Sequence, residues 1–182
     1  MNVNETSEST PAGRTVRAWR AANEAGDSQA AIDCLAADVQ FISPLTAQFR
    51  FRGRDQVGEV LAAAFEVLSD VRYHTEVGDE ATRALVCTGR CGKEQFEEAQ
   101  LLRLDPDGLI VELTFFGRPL PGVTAVMAAI GPLLVRRQGR PALSRIIAAA
   151  TKPLAAMTRI GDAHLVPRAD PARTEARKVR CT

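Results

Sequence analysis

Two carboxylates, Glu98 and Glu112, stand among alternating apolar side chains in the stretch from Gln95 to Phe116, QFEEAQLLRLDPDGLIVELTFF. A carboxyl group surrounded by apolar atoms resists ionisation, so its pKa rises toward neutrality and it becomes able to give and take a proton at physiological pH. Which way each points depends on the turn between them. Pro106 fixes φ near about −65°, which excludes a two-residue type I′ turn. A type I turn fits instead, with Asp105 first, Pro106 second and Gly108 as the left-handed residue of a three-residue loop; Asp105 then pairs with Leu109. Counting by two places Phe96, Glu98, Gln100, Leu102, Leu104, Ile110, Glu112, Thr114 and Phe116 on one face. Glu97, Ala99, Leu101, Arg103, Val111, Leu113 and Phe115 fall on the other. On that register Glu98 and Glu112 lie roughly 13 Å apart, too far to share one proton, so each is a separate candidate general acid or base. Gln100 and Thr114 face each other, able either to satisfy one another or to bond a ligand carbonyl or hydroxyl. The plain alternative for Glu98 is a solvated carboxylate, or one bonded to Gln100 or Trp19.

Other reactive side chains form weaker patterns. Arg72, His74 and Glu76 share a strand face, but Val71, Tyr73, Thr75 and Val77 opposite them are the set that would seek the core, which leaves the polar set in solvent. The four cysteines, Cys34, Cys87, Cys91 and Cys181, have no CxxC spacing and are accompanied by two histidines only. No zinc site or disulfide framework is expected, and no metal. The run GRCGKE lacks the spacing of a phosphate loop, and no cofactor is expected.

The elements that position these residues read in order. Thr10 and Pro11 suit an N-cap and first helical position, opening a helix that turns Val16 and Trp19 inward and stops at Gly26. A second helix, capped by Asp27 or Ser28, runs to about Asp38. VQFIS then alternates as a strand broken at Pro44, with Ser43 capping the turn, and QFRFRG returns with Phe49 and Phe51 on one face. Val57, Val60, Leu61, Ala64 and Leu68 make the stripe of a third helix capped by Asp55. Strands at Val71 to Val77 and Ala84 to Gly92 precede the hairpin. Helices followed by tightly connected antiparallel strands give an α+β fold.

The run AWRAANEAGD, then LAADVQFISPL, then FRGRDQV, then a hairpin closing on ELTFFG, resembles the NTF2-like superfamily, in particular its SnoaL-like branch. The resemblance covers about Thr15 to Gly117. It implies a cone: a curved, mostly antiparallel sheet wrapped around about three helices, with a ligand cavity at the wide end and dimers packed through the outer sheet face. On that cone Trp19, Phe41, Ser43, Phe49, Phe96, Gln100, Thr114 and Phe116 would line the ligand site. In the ketosteroid isomerase branch a tyrosine and two aspartates do the chemistry; Trp19, Ser43 and Gln100 stand at the matching positions, which argues against steroid isomerisation. The epoxide hydrolase branch needs an aspartate near Thr114, and that is missing too.

Charge divides the chain. Residues up to Phe116 carry 11 Lys and Arg against 19 Asp and Glu; from Gly117 the balance is 12 against 3. The basic part holds two apolar stripes. One is Val123, Val126, Met127, Ile130 and Leu134; the other is Leu143, Ile146, Ile147, Ala150, Leu154 and Met157, interrupted by Pro153. The expected organisation is a disordered 1–10, a domain over 11–117, a helical extension over 118–161 and a flexible tail over 162–182. An apolar outer hairpin face made by Leu101, Val111, Leu113 and Phe115 would need a cover. The alanine-rich helices, which lack aromatic anchors, are expected to supply it within the chain or in a homodimer in preference to lying on a membrane surface. No nucleic-acid partner is expected. The polar N-terminus and the lack of an apolar run of roughly 18 residues suggest the cytoplasm. The sequence thus points to a protein that binds a small apolar or polycyclic molecule. The alternatives are a SnoaL-like cyclase, isomerase or hydratase using a cavity glutamate, and an interaction module working through its C-terminal helices.

Overall fold

The computed structural model describes residues 9–171. Most of the expected disordered N-terminus, part of the tail, and Cys181 lie outside them. The first helix, α1 (Pro11–Ala25), begins where Thr10 Oγ1 accepts from Gly13 N and ends at Gly26, whose φ of 70° is the left-handed stop the sequence indicated. The second, α2 (Ser28–Asp33), is capped by Asp27 and is shorter than expected. Strand β1 (Leu35–Ile42) takes over at once, because Leu35 and Val39 are wholly buried against the sheet and helices. QFRFRG contributes only a two-residue strand, β2 (Phe51–Arg52), paired with Phe41 and Gln40. Helix α3 (Gly53–Val67) starts without a side-chain cap; Asp55 sits in its first turn, where its charge favours the helix N-terminus. Then come β3 (Leu68–Gly78), β4 (Thr82–Cys91), β5 (Glu94–Leu104) and β6 (Ile110–Arg118).

The six strands form one sheet in the order β2-β1-β6-β5-β4-β3. Every pairing is antiparallel except β1 with β6, which is parallel. Helices α1 and α3 bury Val16, Trp19, Val57, Val60 and Leu61 against one face of this sheet, in a core shared with Leu85, Leu102, Ile110 and Leu113.

The β5–β6 turn forms as expected. Gly108 has a φ of 85°, Gly108 N donates to Asp105 O at 2.9 Å, and Asp105 Oδ1 accepts from Leu109 N at 2.8 Å. One residue later the register departs from simple alternation. Leu104 pairs with Ile110, but Arg103 pairs with Glu112, so Val111 is the extra residue of a β-bulge. Every β6 side chain beyond it therefore faces the side opposite to that given by counting from the turn. Another register shift lies between Tyr73 and Thr75 in β3, and it turns Glu76 to the Leu85 row, where it pairs with Arg20 at 3.0 Å.

The C-terminal extension is two helices, α4 (Leu120–Arg137) and α5 (Pro141–His164), followed by a 3-10 turn (Val166–Ala169) where a frayed tail was expected. Helix α4 crosses the inner side of β4, β5 and β6 and packs on α3. Its close approach needs Gly122, where an added Cβ would lie 2.4 Å from Gln95 O. Arg137 reaches Glu59 at 3.6 Å and also pairs with Glu66, tying the end of α4 to α3. Helix α5 lies against α4, held by Thr124 Oγ1 to Thr158 Oγ1 at 2.7 Å and by Ser144 Oγ donating to Pro132 O at 2.7 Å. The extension thus covers the inner side and not the outer hairpin face. The cover expected for Leu113 and Phe115 is not required, because both side chains point inward. By length and composition α4 alone among the described helices could cross a membrane, but in the fold its apolar stripe lies on the protein itself.

Candidate functional site

Between the sheet, α3 and α4 lies a cavity of about 280 Å³. The sheet contributes Phe41, Phe96, Leu113 and Phe115, with Phe115 edge-on to Phe41 at 4.9 Å. Helix α3 contributes Val57, Leu61 and Phe65, and α4 contributes Val123, Val126, Met127, Ile130 and Leu134. The polar side chains in the wall are Asn23, Ser43, Thr46, Glu98 and Gln100. This is the composition of a small-molecule site: apolar walls with a few placed polar groups.

The polar groups form one directed chain. Trp19, fully buried, donates from Nε1 to Gln100 Oε1 at 2.9 Å, and the Tyr73 hydroxyl donates to the same oxygen at 2.7 Å. Two donors on the carbonyl fix the orientation of the amide. Its nitrogen must then face the next row, where Nε2 donates to Glu98 Oε1 at 2.7 Å. Glu98 Oε2 has no hydrogen-bond partner among the described residues, and the side chain lines the cavity. Burial pushes the Glu98 carboxyl up to about 7, and the Gln100 hydrogen bond only partly offsets that rise. The neighbouring Cys87 thiol, paired across the strands with Glu98, is pushed up to about 12, first by burial and then by the Glu98 charge. Burial likewise raises the Tyr73 hydroxyl well above its usual range, so it stays a neutral donor.

Among the sequence-predicted site residues, Phe41, Ser43, Phe49, Phe96, Glu98 and Gln100 line the cavity. Ser43 also caps its turn, accepting from Leu45 N at 3.1 Å. Trp19 is not part of the wall; it stands behind Gln100 and holds it. Glu112, Thr114 and Phe116 are corrections. The Val111 bulge turns them to the outer face, where Glu112 pairs with Arg103, Thr114 with Leu101, and Phe116 is 58% exposed. In their place Leu113, Phe115 and Gly117 face the cavity. Tyr73 and Asn23 were missed. Tyr73 lay on the face of β3 assigned to the core, and its partnership with Gln100 is set by the β3–β4–β5 register, which no local pattern records. The α4 stripe was visible as a stripe, but its destination was not.

The profile of the SnoaL-like domain matches residues 16–113. The chain belongs to the SnoaL-like family. Its NTF2-like cone is shared with solved structures that differ widely in sequence. It is similar to a steroid delta-isomerase from Pseudomonas aeruginosa, with 25% identity over 71% of this chain and 95% of that one at a TM-score of 0.65. It is similar as well to a protein with a cystatin-like fold from Silicibacter pomeroyi, with 27% identity over 73% and 93% of the two chains at a TM-score of 0.64. The epoxide hydrolase/cyclase-like enzyme SalBIII, of pyran ring formation in salinomycin, shares the fold at 12% identity over 65% and 95% of the chains with a TM-score of 0.52. No curated protein matches the chain.

Proposed function

We propose that this SnoaL-like protein binds a small apolar molecule in the cavity and transfers a proton to or from it through Glu98. The observation that carries the proposal is the Glu98 carboxyl: enclosed by apolar walls, held on one oxygen by Gln100, and titrating near 7. A group poised there is protonated in part of the population and ionised in the rest, which suits a single residue that takes a proton from one atom and returns it to another. Proton transfer of this kind is a step that isomerisations and ring closures share. The cavity falls just below the usual volume range for drug-sized ligands, which favours a compact substrate. The resemblance to a steroid delta-isomerase supports an apolar, ring-containing ligand class. Steroid isomerisation itself is not proposed. Trp19 and Tyr73 both donate to Gln100, so neither is free to hold a developing oxyanion.

Two measurements test this. The neutral fluorophore N-phenyl-1-naphthylamine is expected to brighten on binding, and the signal to vanish in Val126→Trp, which fills the cavity from α4; an unchanged signal in that variant rejects the cavity as the site. Carbon-13 NMR titration is expected to place the Glu98 carboxyl near 7, and an ordinary carboxylate value removes the proton-transfer role. We also propose a homodimer through the outer sheet face, where Phe116 stands over a shallow depression with Val86 and Ala99. Light scattering should then report a dimer that Phe116→Arg converts to a monomer.

A further inference from the structure

Helix α5 has two apolar sides, and α4 covers only one. Leu143, Ile147, Thr151, Ala155 and Thr158 lie on the partly buried side toward α4. On the opposite side Ile146, Met157 and Ile160 are 65%, 69% and 54% exposed. At about 100° per residue, Ile146, Ala149, Ala150, Pro153, Met157 and Ile160 fall within an arc of about 100°. Along one flank of that stripe Arg145, Lys152 and Arg159 recur every seven residues. Arg159 pairs with Glu94 at 3.7 Å, whereas Arg145 and Lys152 are exposed and make no ion pair among the described residues. The only acid within α5 is Asp162.

We propose that α5 docks along its length on an anionic lipid surface, with Ile146, Met157 and Ile160 entering the headgroup boundary and Arg145 and Lys152 meeting lipid charge. This inference does not depend on what the cavity binds. An exposed aliphatic stripe beside a column of like charge is the pattern of a helix lying in the membrane interface. The same charges could meet nucleic-acid phosphate, but the aliphatic side chains would then stay in water. In an antiparallel two-fold pairing of α5 with a second copy, the two basic columns run side by side and repel. An anionic lipid surface accommodates stripe and column together.

Co-sedimentation of the full chain with vesicles tests the surface. Binding is expected to phosphatidylcholine mixed with phosphatidylserine, to fall with added salt, and to be weak on phosphatidylcholine alone. Arg145→Gln and Lys152→Gln should each lower partitioning about fivefold. The pair Ile146→Ser and Met157→Ser should lower it further while leaving the thermal midpoint unchanged, since both side chains are already in water. No binding, or equal binding to both vesicle types, overturns the proposal. So does a dimer that the Ile146→Ser, Met157→Ser variant dissociates, which would give the face to a second copy. Tighter binding to duplex DNA that survives the same variant would likewise give the charges to phosphate alone.

Discussion

Glu98 shows the conflict between stability and chemistry at a single residue. In the unfolded chain it ionises at the model-peptide value of 4.5, whereas in the folded protein it holds its proton to about 7. Between those values the folded state binds more protons than the unfolded one, so this group's contribution to stability falls as pH rises and is fully lost above about 7. The loss amounts to about 3 kcal/mol. Glu98→Gln, which keeps an acceptor for the Gln100 amide, should match the wild type near pH 4.5 and exceed it by up to about 3 kcal/mol at pH 8 in urea unfolding, while abolishing proton transfer. Gln100→Leu should act in the opposite direction. It strands the Trp19 and Tyr73 donors and removes the bond to Glu98, and should cost about 2–4 kcal/mol while raising the Glu98 pKa in the NMR titration. Glu98 and Gln100 were legible in the sequence because β5 alternates without interruption from a turn whose chemistry Pro106 and Gly108 dictate. Glu112 was misplaced because a bulge leaves no mark in a run such as LIVEL, where the extra residue is as apolar as its neighbours.

At the scale of elements, local signals were read correctly where the cause is local. Thr10 and Gly26 bound α1, and the alternation of β5 gave its faces. What failed depends on partners distant in sequence. The early start of β1 follows from its parallel pairing with β6, and β2 stops after two residues because α3 begins at Gly53. The position of α4 over the inner wall follows from Gly122, which permits contact with the start of β5. Gly122→Val should therefore push α4 off the strand. Overpacking of this kind costs about 1–3 kcal/mol, and the displaced helix should also weaken naphthylamine binding; a lower thermal midpoint with binding intact would mean that α4 does not shape the cavity.

For the whole molecule, the division of charge found in the sequence proves to be partly internal. Basic residues of the extension bind acids of the body, Arg137 on Glu59 and Glu66 and Arg159 on Glu94, and Arg118 at the end of β6 binds Glu97. Such exposed pairs orient more than they stabilise, so Arg137→Ala should lower stability by less than about 1 kcal/mol in urea unfolding. A further consequence belongs to β6. Because Val111 is the extra residue of a bulge, deleting it leaves Leu104 opposite Ile110, Arg103 opposite Glu112 and Leu102 opposite Leu113. A deletion at Leu113, Thr114 or Phe115 instead turns over whatever follows it in the strand. Among these positions, codon 111 is thus the one the gene could lose without exchanging cavity wall for surface.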